Sequence, residues 1–307
     1  MKKILSSSLI AVFFAVIFTA CKKEGSTDNS STEIPTHSDD QSRFSGETDA
    51  IAIDAGIALE SNPSFSGRTS QPQTVICNAT VSIDTISNPR TITITYNGVN
   101  CVGNATRTGV VVLSMANGVH WKNAGAELNV NFQNLRITRL IDNKRITING
   151  SQTFTNTSGG LLINLPSLGT ITHTITSNGM SLTFDNGAQR SWQVAKQRVF
   201  TYNNGIVITS SGIHTEGNIT NIAEWGINRF GHSFTCATTQ PLIVKQDCNF
   251  RLVNGQVTHI SGGMTATATF GLDENGNPVS CPGNANYYFK LVWTGPNGNS
   301  LIRIFPY

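Results

Sequence analysis

Charge is scarce in this chain of 307 residues: Asp, Glu, Lys and Arg make up 13 % of it, about half the roughly 25 % of ordinary soluble domains. Neither sign dominates. Lysine and arginine number 21 against 18 acids; the first twenty residues hold only Lys2 and Lys3, which leaves 19 against 18 beyond them, a net of +1. So even a balance is no electrostatic footprint for nucleic acid and gives no strong pull toward anionic lipid. No G-x-S-x-G motif places a hydrolase nucleophile. From Thr74 onward no helical period is sustained, which argues against a parallel βαβ architecture, and no internal repeat marks a propeller or solenoid.

What is present begins with a leader. Lys2 and Lys3 precede the apolar stretch Leu9 to Phe18, and Thr19-Ala20-Cys21 follows. A basic head, a short apolar middle and small residues before a cut are the parts of a secretory signal, and the apolar run is shorter than the ~20 residues of a membrane span. Phe18-Thr19-Ala20-Cys21 resembles a lipobox, which implies cleavage before Cys21 and lipidation of that cysteine. Residues 22–44 are rich in Ser, Thr, Asp, Glu and Lys, and a segment with so little to bury is expected to form a flexible tether. A lipid anchor of more than one acyl chain holds a protein on a membrane stably. The expected organisation is a signal peptide over 1–20, a lipidated Cys21 with its tether over 21–44, and one β-rich domain over 45–307.

An exported chain meets an oxidising compartment, where cysteines pair. With Cys21 committed to lipid, Cys77, Cys101, Cys236, Cys248 and Cys281 remain. Cys77 and Cys101 flank a two-strand unit and are the first expected pair. Of the other three one must be left over; Cys248–Cys281 with Cys236 free is the expectation, and Cys236–Cys248 the alternative.

One short helix is expected near residues 48–60, opened by Thr48-Asp49 and ended by Asn62-Pro63. After it the period becomes two, as in Arg90 to Tyr96 (RTITITY), Thr170 to Thr176 (TITHTIT) and Met264 to Phe270 (MTATATF). Such alternation puts one face on a core and the other in water. Asn-Gly pairs at 97–98, 178–179, 186–187, 204–205, 254–255, 275–276 and 297–298 are hairpin signals, because asparagine and glycine accept the positive φ of tight turns. The fold class expected is all-β, an antiparallel meander of long hairpins that forms an extended twisted sheet, a sandwich or an open barrel, with one short N-terminal helix.

Candidate chemistry is sparse. His214 and Glu216 lie two apart on an expected strand, but a metal site wants three or four ligands and no further spacing supplies them. Asp273-Glu274-Asn275-Gly276 suggests a calcium loop, yet Pro278 and Asn284 stand where glycine and glutamate are required, so a hairpin turn explains it better. No catalytic residues, metal or cofactor are assigned. The segment Arg190 to Tyr202 stands out because Arg190, Trp192, Lys196, Arg198, Phe200 and Tyr202 share one face of a regular strand. Cations beside aromatics can form a platform for a sugar or a partner protein; they can also be a solvent-facing ladder, or a core strand with basic edges. Trp121, Trp225 and Trp293 are read as core.

The lipidated cysteine, the polar tether, the short helix, the strand Thr91 to Tyr96 leading to Cys101, Arg107-Thr108-Gly109, the strand around Arg190 and Trp192, Pro241-Leu242 ahead of Cys248, and the final Cys281 together resemble an uncharacterised family of all-β lipoproteins of the Bacteroidota. The chain departs from that pattern in Cys236 and in its end, Ile304-Phe305-Pro306-Tyr307. The resemblance implies an exported all-β protein with no assigned activity. A non-enzymatic binding or structural role in the envelope is therefore expected, on the outer membrane because Lys22 is not a retention aspartate, with a glycan or envelope protein as partner. The alternatives are a β-scaffold hydrolase or carbohydrate-active enzyme, whose minimum of paired carboxylates is poorly met by acids such as Asp84, Asp142, Asp185, Glu216, Glu224 and Asp273 that fall mostly at expected turns, and a surface adhesin.

Overall fold

The computed structural model describes residues 30–68, 76–101, 103–248, 250–281, 287–295 and 298–306. Cys21, the expected leader and the first part of the expected tether lie outside them. Two helical pieces, α1 (Ser30–Ser61) and α2 (Pro63–Ser66), precede a fifteen-stranded sheet. Its strands are β1 (Ala79–Asp84), β2 (Arg90–Val99), β3 (Ala105–Met115), β4 (Ala126–Arg139), β5 (Arg145–Asn156), β6 (Thr170–Phe184), β7 (Gln189–Tyr202), β8 (Ile206–Gly212), β9 (His214–Glu216), β10 (Ile219–Ile227), β11 (Ser233–Lys245), β12 (Arg251–Ser261), β13 (Met264–Leu272), β14 (Tyr288–Thr294) and β15 (Ser300–Pro306). A one-turn helix, α3 (Leu165–Leu168), lies between β5 and β6.

Neighbouring strands pair antiparallel in chain order from β1 to β7 and again from β10 to β15, so the meander is the observed topology. Its one irregularity is at the middle. The C-terminal half of β7 pairs with β8 and its N-terminal half with β10, and β11 likewise pairs with both. Two strand segments thus fill the space between β7 and β11 one after the other. Strands β8 and β10 share one lane, from which the chain leaves at Ile213, turns through the β9–β10 hairpin and returns at Ile222. Gly212 sits at the junction, where a β-carbon would collide with the Asn221 carbonyl and the Ile222 backbone.

Alternation fixes the faces as the strand periods predict. Ile92, Ile94 and Tyr96 of β2, Ile171 and Ile175 of β6, and Met264, Ala266 and Ala268 of β13 are buried. The turn signals are only partly turns: Asn186-Gly187, Asn204-Gly205 and Asn275-Gly276 join strands, whereas Asn97-Gly98, Asn178-Gly179 and Asn254-Gly255 lie inside β2, β6 and β12; Asn297 of the last pair lies outside the described residues. The register slips at Asn178-Gly179, between Thr176 and Ser181, so glycine serves a bulge there. The Asp273 segment is a turn: its carboxylate accepts the Asn275 and Asn277 amides at 2.9 Å each.

The helix corrects two expectations. It begins at Ser30, not near residue 48, and residues 30–44 of the expected flexible tether are part of it. Thr48 is no cap; its hydroxyl donates to the Phe44 carbonyl one turn back (2.9 Å). Phe44, Ile51, Ala55 and Leu59 join the main core with residues from β2 to β7 and Phe234 of β11. Side chains of β2, β3, β4, β7, β10 and β12 contact this one helix. Arg139 of β4 and His259 of β12 meet the same turn of it, at Asp39 and His37; those strands are six pairing steps apart, roughly 29 Å if flat, against a helix about 10–12 Å across. The sheet must therefore curl around α1. A smaller core, with Val257, Met264, Ala268 and Leu291, lies under β12 to β14.

Two disulfides staple the ends. Cys77 and Cys101 bridge the loops flanking β1 and β2, with α-carbons 5.3 Å apart, and Cys248–Cys281 ties the end of β11 to the segment before β14, with α-carbons 5.0 Å apart. Cys236 is free and buried. Replacing Cys77 and Cys101 together by serine is expected to cost about 3 kcal/mol of stability on the chain-entropy account. Urea unfolding measures it; an unchanged midpoint would show that the unfolded loop is already constrained.

Candidate functional site

Strand β7 is regular, and its cations and aromatics do share a face. That face points inward. Trp192 is fully buried, and Lys196, Arg198 and Phe200 are each less than a tenth exposed. Arg190 is half-buried, its guanidinium donating to the Asn228 and Arg229 carbonyls, and Tyr202 is exposed at the strand end. The solvent-facing platform and the solvent-facing ladder are both corrected, and the core strand is the nearest of the readings, with Lys196 and Arg198 buried rather than at its edges: the structure brings Trp192, Lys196, Arg198 and Phe200 together around α1, not before water.

The reason lies in the helix. Glu33, Asp40, Glu47 and Asp54 recur every seven residues, close to two helical turns, and so form a stripe. Asp40 binds the Arg229 guanidinium twice (2.5 and 2.6 Å), Glu47 takes the Arg107 Nε (2.7 Å), and Asp54 accepts the Tyr96 hydroxyl (2.9 Å). Glu33 accepts the Asn228 amide at 2.7 Å. Beside the stripe, Asp39 takes Arg139 through both its oxygens (2.6 and 3.1 Å) and Asp49 pairs with Arg198. A helix that buries carboxylates against strand arginines has the composition of a tether. The heptad of acids was the available signal.

At the centre stands Glu224 of β10, fully buried and not at a turn, contrary to expectation. Lys196 Nζ donates to it at 2.6 Å, Trp192 Nε1 at 3.1 Å and Gln41 Nε2 at 3.2 Å, and the Ser45 hydroxyl also donates to it. Burial works to lower the Lys196 ammonium, but the Glu224 and Asp49 charges outweigh it and hold its pKa above the ordinary value. Nearby lie His37, with no hydrogen-bond partner on either ring nitrogen, and the Cys236 sulfur, 3.7 Å from His259 Nε2. Burial, then the Glu224 charge, push the Cys236 thiol up, which keeps it protonated and inert. Chemically this cluster joins helix to sheet. Among the described residues the group of three donors close enough to share a metal ion is Asp247, Cys248 and Cys281, and both of its cysteines are spent in a disulfide.

Outside the interior, His214 stacks on Trp225 (ring centroids 4.0 Å apart). Trp225 is therefore half-exposed and outside the core, unlike Trp121.

Two cavities flank α1. The first, about 400 Å³, lies between the C-terminal half of the helix and strands β6 to β8. Ile53, Ile57 and Leu59 form its helical wall, and Phe154, Phe200 and Ile208 face them. His173 is part of this wall, its ring packed between Trp121 (5.0 Å) and Phe200 (4.9 Å). Burial, and secondarily the Arg198 charge, lower its pKa to about 4, so the ring is neutral at physiological pH and adds little polarity. Glu60 at the rim accepts the Leu162 amide (2.8 Å). Ile53 and Ile57 are 46 % and 41 % exposed, so the cavity opens outward. The second cavity, about 630 Å³, is a cleft at the other half of α1, between the ends of β3 to β5 and strands β14 and β15. Neither cavity was visible to sequence reasoning, since each joins residues far apart in the chain. No family model, curated protein or solved structure matches this chain.

Proposed function

We propose that the protein is a non-enzymatic, lipid-anchored envelope protein, held through Cys21 at the outer membrane, that binds a small apolar ligand between α1 and strands β6 to β8. What carries the reading is the 400 Å³ cavity, of the size of small-molecule sites and apolar like them, whose helical isoleucines stay half exposed on the side of α1 turned away from the buried Ile51 and Ala55. The ligand class is a hydrocarbon chain or ring of the kind envelope lipids supply. The interior acids speak for binding rather than hydrolysis: Glu224, Asp40 and Glu47 are each held by a cation of the sheet, and a general acid–base pair needs one carboxyl free to give or take a proton.

The test is saturable binding of an uncharged fluorophore, N-phenyl-naphthylamine, with decanol as competitor. Ile57→Trp would fill the cavity from a half-exposed position and is expected to weaken binding by about tenfold or more, roughly 1.4 kcal/mol, while leaving the unfolding midpoint unchanged. Equal binding by the variant, or none by the parent protein, would refute the reading.

A further inference from the structure

The cleft at the other half of α1 carries an oddity in its charges. Arg43 lines it, its side chain is 8 % exposed, and both of its terminal guanidinium nitrogens lack a hydrogen-bond partner. The closest carboxylate oxygen, Asp40 Oδ1, is 3.8 Å away and already receives Arg229. The other acids of the cleft are likewise taken, Asp39 by Arg139 and Glu47 by Arg107. Asp40 supplies a counter-charge but no hydrogen bond; buried polar groups left without one are costly in general, and such a group in a native fold calls for a further partner. Arg139 and Lys144 stand at the same cleft, where they share Asp39 and Asp142 between them. The opposite wall is different in kind: Phe289 and Phe305 lie with ring centroids 5.3 Å apart, and Leu291 continues the apolar surface.

We infer that this cleft is a second binding site, for an anionic amphiphile whose carboxylate or phosphate pairs with Arg43 and whose hydrocarbon part lies on Phe289, Leu291 and Phe305. A guanidinium offers a planar fork that matches both anions, and the aromatic wall gives a reason why a bare anion would not suffice. The site shares no residue with the cavity lined by Ile57, so it stands or falls independently of the proposed function.

The experiment is calorimetric titration of the chain carrying Cys21→Ser with decanoate, decyl phosphate, decanol, acetate and inorganic phosphate, each repeated on Ile57→Trp, Arg43→Gln and Phe305→Glu. Decanoate and decyl phosphate are expected to bind, and to keep binding in Ile57→Trp. Arg43→Gln should weaken both by about tenfold or more, the loss of a hydrogen bond to a charged group, and Phe305→Glu should do so by repulsion. Decanol should be unaffected by either change, and acetate and inorganic phosphate should not bind detectably. Arg43→Gln removes a buried charge whose terminal nitrogens make no hydrogen bond and is expected to unfold no earlier than the parent; Phe305→Glu tests the same site from a half-buried position on β15. Anion binding unchanged in both variants, or abolished by Ile57→Trp, would overturn the inference. Failure of decanol to bind the parent protein would instead count against the apolar cavity alone.

Discussion

Glu224→Ala is expected to cost about 3–5 kcal/mol of folding stability, the effect of removing one partner from a buried ion pair. The side chain is inaccessible and its oxygens accept bonds from Lys196, Trp192, Gln41 and Ser45. Without it the Lys196 ammonium is stranded in the interior, 8 % exposed, with the hydroxyl of Ser45 at 3.3 Å as a weak substitute. Most small domains have only 5–15 kcal/mol to lose. The double substitution Glu224→Ala with Lys196→Met is expected to recover most of the loss, because the penalty belongs to the stranded charge rather than to the missing pair. Urea midpoints at constant slope report both effects. A single-variant loss below about 1 kcal/mol would mean that the pair behaves as a solvated surface bridge.

The second large effect is with pH. His37 and His259 are buried and neutral, their pKa values lowered to about 3 and about 4 by burial; the His259 ring lowers His37 further, while the Glu224 charge opposes the shift at His259. His173 stands lowered to about 4. In the unfolded chain each ring takes up a proton near pH 6.5. Between about pH 6.5 and 4 the unfolded state therefore holds more protons than the folded one, and unfolding becomes easier as pH falls. The contribution is intact above pH 6.5 and is lost at about 1.4 kcal/mol per pH unit for each histidine. Asp40, Asp54 and Glu60, whose carboxyls burial raises, work in the opposite sense, yet each keeps a hydrogen-bonded partner in the fold that limits the shift. Stability is accordingly expected to fall steeply between pH 6.5 and 5. His37→Phe would keep a ring against Trp192 and Phe234 and remove one titrating group, so its slope should be shallower by about 1.4 kcal/mol per unit. A slope that the substitution leaves unaltered would exclude His37, and a stability independent of pH across this range would exclude all three.

Both effects arise where the sheet holds the helix, and there the sequence is least transparent. The strand β7 shows why. Its period of two placed Trp192, Lys196, Arg198 and Phe200 on one face, because that follows from the pleat alone. Which face meets water depends on what lies opposite, and cations in a strand ordinarily mean solvent. Here the opposite element is a helix that carries the matching carboxylates, so the polar face went inside. Residues 30–44 were misread for the same reason seen from the other side: with few apolar residues they have the composition of a tether, and only pairing with Arg139 and Arg229, together with the burial of Phe44, makes them helix.

Local physics was enough for much of the rest. Alternation in β2, β6 and β13, the antiparallel meander and the pairing of Cys77 with Cys101 and of Cys248 with Cys281 depend on short-range stereochemistry or on neighbours close in the chain. The curl of the sheet, the burial of Glu224, the two cavities and the isolation of Arg43 join Gln41 to Glu224 and Arg43 to Phe305. Contacts at such separation carry no periodic trace in a single sequence. The sequence by itself determined the period of strands such as β2, β6 and β13 and the meander that pairs most neighbours in chain order; the tertiary structure decided the break in that order at β7 to β11 and which side of the strands is the inside, because a buried charge is tolerable only where its counter-charge arrives with it.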